Sequence, residues 1–180
     1  MTASAPRTEW TLEDLDDLPE DGSRYEILEG SLLVSPAPAL PHFRAVSYLH
    51  RLLVRLAPDR YLVGQNIGVL RHVIRQTYLI PDLVVVREES LAGNGKALLP
   101  ADVLLAVEVL SPSSASTDAV TKRHHYGRMG IPQYWIVDPD AKELTVLRGD
   151  AYREEIVVRA GERWETDEPF DVELDPADFC

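Results

Sequence analysis

The segment "VLLAVEVLS" at residues 103–111 constrains the fold more than any other part of the sequence. Apolar side chains occupy both of its alternating faces, which is typical of a central strand that is covered on both sides. Glu108 nevertheless stands inside this apolar run. Because an unpaired carboxylate is costly to bury, the segment predicts a central strand whose acid is either neutralised by a partner or used in chemistry.

The composition of the 180-residue chain excludes several classes of protein. No apolar run approaches the roughly 20 residues that cross a bilayer, and the first ten residues lack the apolar core of a signal peptide, so no membrane partner is expected. Cys180 is the single cysteine, which excludes a disulfide scaffold and favours a cytoplasmic protein. The net charge of −12 argues against passive nucleic-acid binding but permits a local basic patch or a metal-bridged phosphate.

The order of the predicted elements indicates an α/β or α+β fold. Residues 1–23 are predicted to form an arm with a short acidic helix, and residues 24–180 a single domain. In this domain "RYEILEGSLLV" predicts two strands around a Glu29–Gly30 turn, and "HFRAVSYLHRLLVRLA" predicts an amphipathic helix with an arginine-bearing outer face. A shorter helix ends at Gly130, and a C-terminal β-meander follows. We therefore expect a central mixed sheet flanked by helices.

Two acids within apolar strands, Asp82 and Glu108, are the first candidates for chemistry. Adjacent strands would bring the two carboxylates together, where they repel each other unless a cation lies between them. Mg²⁺ prefers oxygen ligands and leaves room for a phosphate. Lys122, at the start of the next helix, is placed to hold the attacking water or to stabilise charge on the phosphate.

Each of these residues also has an ordinary structural interpretation. Asp82 follows a proline and could simply begin a strand. Glu108 could be the buried half of a salt bridge with an arginine, and Lys122 could be a solvated helix lysine. Their occurrence together in this order favours the metal-site hypothesis over the three separate interpretations.

The order and spacing of several motifs resemble the Uma-type family of restriction endonucleases, a branch of the PD-(D/E)XK nuclease superfamily. The resemblance runs from about residue 24 to residue 152. Its motifs are "YEILEG" at residues 25–30, "SPAP" at residues 35–38 followed by His42, "PDLVVV" at residues 81–86, "VEVLSPSS" at residues 107–114, the set Asp118, Lys122 and Tyr126, and "GIPQYWIVDP" at residues 130–139.

This resemblance implies a restriction-endonuclease-like core with a metal site at one end of the sheet. It implies Mg²⁺ as the cofactor, with Mn²⁺ as an alternative, and DNA as the nucleic acid that is cut. Asp82, Glu108 and the backbone carbonyl of Val109 would bind the metal, and Glu26 would be the upstream acid near it. A homodimer is expected because cutting two strands often uses two sites.

The sequence departs from the superfamily pattern where the motif lysine would fall, since Leu110 stands there. The resemblance suggests that Lys122 fills this role from the next helix. Gln133 stands where the family pattern often has a glutamate, and we interpret this difference as structural. Ser31 stands where the pattern expects an acid.

Three further residues are candidate substrate contacts. His42 begins the arginine-bearing helix and could contact a phosphate, or could cap or pack the helix. Gln65 belongs to a strand that could face the site. Tyr126 lies one helical turn after Lys122 and could orient the lysine or fill the core.

Two other functions stay open beside the metal-dependent endonuclease. A catalytically degenerate interaction or dimerisation module is favoured by Leu110 and by the negative charge. A hydrolase of small phosphoesters would need a closed pocket instead of an open cleft.

Overall fold

A computed structural model describes residues 9–91, 95–111 and 118–179, with the side chains of residues 118 and 119 left out. Twelve strands are assigned within these ranges, with two α-helices, a π-helical turn at Asp118–Lys122 and short 3-10 turns. The helices are α1 (Leu40–Leu56) and α2 (Arg123–Met129). The strands are β1 (Arg24–Leu28), β2 (Ser31–Ser35), β3 (Tyr61–Gln65), β4 (Val69–Arg71), β5 (Thr77–Leu79), β6 (Leu83–Arg87), β7 (Val103–Val109), β8 (Gln133–Asp138), β9 (Glu143–Arg148), β10 (Glu154–Arg159), β11 (Trp164–Thr166) and β12 (Val172–Leu174). The 3-10 turns are Glu13–Asp17, Glu88–Leu91, Pro100–Asp102, Asp150–Tyr152 and Pro176–Asp178.

A six-stranded mixed sheet in the order β10-β9-β8-β7-β6-β3 forms the centre of the fold. The strand β7 pairs in parallel with β8 and antiparallel with β6. A parallel pair needs a long crossover connection, and here the connection contains the π-helical turn and α2. The apolar run at residues 103–111 is therefore a central strand, as its pattern predicts.

Both faces of this sheet are covered by apolar residues. The helix α1 places Leu49 and Leu53 on one face, in a cluster with Val107. On the opposite face Tyr126 of α2 belongs to a cluster with Ala106. Burying an aliphatic or aromatic side chain of this size contributes about 1.5–3 kcal/mol, so the two clusters account for the all-apolar pattern of β7. The predicted fold class, a mixed sheet flanked by helices, is confirmed.

A second, four-stranded sheet in the order β2-β1-β5-β4 brings the motif of residues 25–30 to the central sheet. Glu29 and Gly30 form the predicted turn between β1 and β2, with φ values of 47° and 79°. Positive φ is readily adopted by glycine but is uncommon elsewhere. The predicted N-terminal arm contacts this sheet, since the Trp10 amide donates to the Gly30 carbonyl at 2.8 Å.

The C-terminal part forms the predicted meander through β8, β9 and β10, and also a separate two-stranded sheet of β11 and β12. Gln133 is buried, and its side-chain amide donates to the Glu168 carbonyl at 2.9 Å. Its side-chain oxygen accepts from Trp135 Nε1 at 3.1 Å, which agrees with the structural interpretation of this residue. Among the described residues, the structure contains no helix that is both long and apolar enough to cross a membrane.

Candidate active site

A solvent-accessible cleft of about 990 Å³ lies where β1, β6, β7 and the start of α1 meet. Of the residues predicted for the site, Glu26, His42, Gln65, Asp82, Glu108, Val109 and Lys122 all line it. The cleft extends past exposed residues such as Phe43 and Asn66, which gives it an open mouth. An open cleft of this kind suits an extended polymer better than the closed pocket that a small phosphoester would need.

Asp82 precedes β6 and is held from three directions. Its Oδ1 accepts from Arg24 at 2.7 Å, and its Oδ2 accepts from the Val109 amide at 2.8 Å. His42 Nε2 lies 3.0 Å from the same Oδ2. Burial alone would raise the pKa of Asp82, but the hydrogen bond of His42, the charge of Arg24 and the Val109 amide hold it below its ordinary value. These contacts therefore favour the carboxylate form of Asp82.

Glu108 and Glu26 share one buried lysine. The Lys122 ammonium lies 2.9 Å from Glu108 Oε1 and 3.1 Å from Glu26 Oε1. Glu26 Oε1 also accepts from the Ile80 amide at 2.7 Å. All three charged side chains are at most 3% exposed. Glu108 is thus paired, as its place in an apolar strand requires, and its cation is a lysine.

Tyr126 completes the surroundings of Glu108 by donating its hydroxyl to Glu108 Oε1 at 2.9 Å. Burial raises the pKa of the Tyr126 phenol well above its ordinary value, and the nearby charge of Glu108 adds to this effect. The phenol is therefore a neutral donor. Lys122 and Tyr126 stand four residues apart along one helical face, so both can reach the same oxygen.

The predicted displacement of the motif lysine agrees with this geometry. Leu110 is partly buried and packs against the apolar cluster that contains Tyr126. Lys122, the last residue of the π-helical turn, reaches Glu108 from the following element. An ammonium group thus lies beside the second acid even though position 110 carries an apolar side chain.

Arg24 is a site residue that the sequence analysis missed. Besides Asp82, its guanidinium donates to Asn66 Oδ1 at 2.7 Å and to the Ile80 carbonyl at 3.2 Å. Burial opposes its charge, but Asp82 and Glu108 raise the pKa of Arg24 above its ordinary value. The available signal was its spacing from Glu26, since residues two apart on a strand project to the same face.

The remaining candidates occupy different parts of the cleft. His42 lies in the first turn of α1 and contacts Asp82, while its Nδ1 is buried with no hydrogen-bond partner among the described residues. Gln65 ends β3, is exposed, and lines the cleft. The contact that Val109 makes to Asp82 runs through its amide. Residues 112–114 of the "VEVLSPSS" motif lie outside the described residues, as does the Asp118 side chain.

Carboxylate oxygens suit a hard divalent cation, although the site offers only a few of them. Within residues 9–91, 95–111 and 118–179, no group of three or more His, Cys, Asp or Glu has the geometry of a metal site. Mg²⁺ needs fewer protein ligands, because it is commonly bound by one or two carboxylates with waters and phosphate oxygens. Asp82, which directly precedes β6, and Glu108 of the adjacent strand β7 are oxygen donors that both line the cleft, and each carboxylate oxygen has two lone pairs. The residues present therefore fit Mg²⁺.

Comparisons with known proteins agree with the motifs and the fold. The sequence profile of Uma2, described as putative restriction endonuclease, matches residues 12–177. The chain belongs to the Uma2 family. A search of curated proteins gave no match. The Uma2 chain is also similar to the crystal structure of a putative nuclease belonging to DUF820 from Anabaena variabilis, with 20% identity, a TM-score of 0.75, and coverage of 94% of this chain and 97% of that chain. At this identity the likeness shows a shared fold.

Proposed function

We propose that this Uma2 protein is a metal-dependent endonuclease that hydrolyses phosphodiester bonds of nucleic acids, with DNA as the substrate. One observation carries the proposal: Asp82, Glu108, Lys122 and Glu26 come from separate elements and line a single cleft. The description of the Uma2 family as restriction endonucleases supports the same class of reaction.

Asp82 and Glu108 would hold Mg²⁺ or Mn²⁺, with the Val109 carbonyl as a further ligand. A bound divalent ion polarises the scissile phosphate and lowers the pKa of the attacking water. The protein keeps the two acids in place for this task. Asp82 is oriented by His42 and by the Val109 amide, and Glu108 by the Tyr126 hydroxyl.

Lys122 supplies fixed positive charge beside these acids. Its ammonium is held by Glu108 and Glu26, so its position needs little rearrangement when negative charge develops on the phosphate. Charges that are already oriented stabilise a transition state more effectively than charges that must move. Glu26 therefore acts through Lys122, as a positioning residue.

The strand of nucleic acid would meet a cleft whose lining carries both acids and cations, so a bound divalent ion would be needed to offset the acids. Arg24 and Lys96 line the cleft, and the exposed Arg44 and Arg51 of α1 are available for backbone phosphates. The overall charge of −12 predicts weak binding without a divalent ion. The proposed homodimer is checked by light scattering of the purified protein with and without DNA.

The test combines metal titration with plasmid nicking on the same samples. Calorimetry with Mg²⁺ and with Mn²⁺ compares wild type, Asp82→Ala, Glu108→Ala and the control Glu165→Ala, which changes an exposed acid of β11. We expect wild type and Glu165→Ala to bind metal and to nick, and the other two variants to lose both. Metal-independent nicking, or nicking that survives both site substitutions, contradicts the proposal.

A second candidate function is a non-catalytic interaction or dimerisation module that keeps the nuclease fold. The observation in its favour is that protein groups contact both oxygens of Asp82, namely Arg24, His42 and the Val109 amide. This candidate predicts no heat of metal binding in wild type, together with an intact dimer in Asp82→Ala. Nicking by wild type would exclude it.

A further inference from the structure

Of the two cations that contact the motif acids, Arg24 is more accessible than Lys122. Its side chain is 21% exposed, whereas that of Lys122 is 3% exposed. Both lysine contacts run to buried carboxylates, but Arg24 contacts one carboxylate, one side-chain amide and one backbone carbonyl. Lys122 is therefore enclosed by its partners, and Arg24 presents part of its guanidinium to whatever enters.

The hydrogen-bonding capacity of Arg24 exceeds what its contacts use. A guanidinium carries five N–H donors in one plane. Asp82 and Asn66 accept from one terminal nitrogen, and the Ile80 carbonyl accepts from the other. Among the described residues, no acceptor is found for the remaining two N–H groups, one on a terminal nitrogen and one on Nε.

Orienting Asp82 would not by itself require this arrangement. Asp82 already receives the Val109 amide and the His42 ring on its other oxygen. Asn66, which accepts from the same nitrogen as Asp82, sits at a φ of 53°, an uncommon value outside glycine. These contacts fix the orientation of the guanidinium, so each remaining N–H group keeps a fixed direction. A guanidinium N–H forms a strong, charge-assisted hydrogen bond with a phosphate oxygen.

We propose that Arg24 is a phosphate-binding residue: one of its two remaining N–H groups donates to a non-bridging oxygen of the nucleic-acid phosphate while it continues to hold Asp82. The inference rests on the proposed function, because it supplies a substrate contact for the same site. It assigns Arg24 a direct contact with the bound phosphate, whereas Lys122 is held between Glu108 and Glu26.

The test separates phosphate binding from charge and from folding. Arg24→Lys keeps a positive charge beside Asp82 but loses the oriented guanidinium N–H donors, and Arg24→Gln loses both the charge and these donors. Arg128→Gln is the matched control, because Arg128 pairs with Glu29 at 3.1 Å on the surface and does not line the cleft. Melting temperatures establish that each variant is folded, and Arg24→Lys keeps the test valid if Arg24→Gln does not fold.

Two probes report on the phosphate. Hydrolysis of bis(p-nitrophenyl) phosphate with Mn²⁺ gives KM and kcat separately, and anisotropy of a labelled 12-nucleotide strand in Ca²⁺ gives Kd and its salt dependence. For Arg24→Lys we expect KM and Kd to rise about ten-fold at saturating metal, as for the loss of a charge-assisted contact. Calorimetry measures metal affinity separately, because Arg24 also contacts Asp82. For Arg24→Gln the slope of log K against log salt should fall by about 0.7, one phosphate contact on a single strand.

The outcomes distinguish this inference from the function on which it rests. If wild type cleaves and both Arg24 variants keep wild-type KM and Kd, the phosphate role of Arg24 is overturned and the endonuclease proposal stands. A ten-fold loss that appears equally in Arg128→Gln also overturns it, because general charge would then explain the effect. If wild type neither binds nor cleaves either probe, the proposed function fails and the role of Arg24 falls with it.

Discussion

The two halves of the site contain the same kinds of groups in different surroundings. In the closed half Lys122 joins Glu108 and Glu26 with nearly no solvent access. In the open half Arg24 holds Asp82 at the wall of the cleft. A buried ion pair is costly to break because the remaining charge is left without solvent, whereas a partly exposed cation can exchange partners. The closed half is therefore expected to contribute more to the free energy of unfolding, and the open half to change its contacts when a ligand binds.

Substituting the shared lysine should give the largest effect. Lys122→Met leaves two buried carboxylates without their cation, so we expect a loss of about 3–5 kcal/mol in the free energy of unfolding. Urea denaturation of the metal-free protein measures this loss. Lys96→Met is the control, since Lys96 pairs with Asp16 on the surface, and its urea midpoint should match wild type. A urea midpoint for Lys122→Met close to that of Lys96→Met would contradict the expectation that the closed half stabilises the fold more than the open half.

Neutralising the acid of the open half should give a smaller, pH-dependent effect. The folded protein holds the pKa of Asp82 below its ordinary value of 3.8, so this group stabilises the fold above about pH 4, and the contribution disappears as pH falls through the lowered pKa. Asp82→Asn in EDTA should cost about 2 kcal/mol at pH 7, as for hydrogen bonds to a charged group. The difference from wild type should shrink toward pH 3 in urea titrations, and a gap that is constant with pH contradicts this assignment.

Removing one hydroxyl should give the smallest effect. Tyr126→Phe deletes the 2.9 Å hydrogen bond to Glu108, while Lys122 still neutralises that acid. We expect a loss of about 1 kcal/mol, measured by the same urea titrations. Tyr25→Phe is a suitable control, because its hydroxyl contact to Asp21 is exposed. A loss as large as that of Lys122→Met would mean that the phenol, and not the lysine, holds Glu108.

The sequence predicts the parts of the site that break a local pattern. Glu108 is recognisable because a charge inside an apolar strand needs an explanation. The Glu29–Gly30 turn is recognisable because two apolar strand segments flank a glycine. Each signal lies within a few neighbouring residues, so no tertiary information is needed to find it.

The parts that escaped prediction depend on contacts between distant segments. Arg24 begins an ordinary strand, and its importance appears when Asp82 and Asn66 approach from another part of the chain. Glu26 likewise depends on Lys122 for its buried ion pair. Glu26 precedes the central strand β7 in the sequence, and Lys122 follows it. The strand β11, and the separate sheet that it forms with β12, also escaped prediction, because a three-residue strand carries little alternation to detect.

The central claim, that Asp82 and Glu108 share a divalent ion, is tested most directly by crystals of the protein soaked in Mn²⁺. Anomalous difference density would locate the ion without any assumption about the substrate. The account predicts a peak in contact with oxygens of Asp82 and Glu108 and with the Val109 carbonyl, with Lys122 still beside Glu108. Crystals that show no peak at this position, with Arg24 and His42 still on Asp82, would contradict the claim and leave the non-catalytic module as the better account.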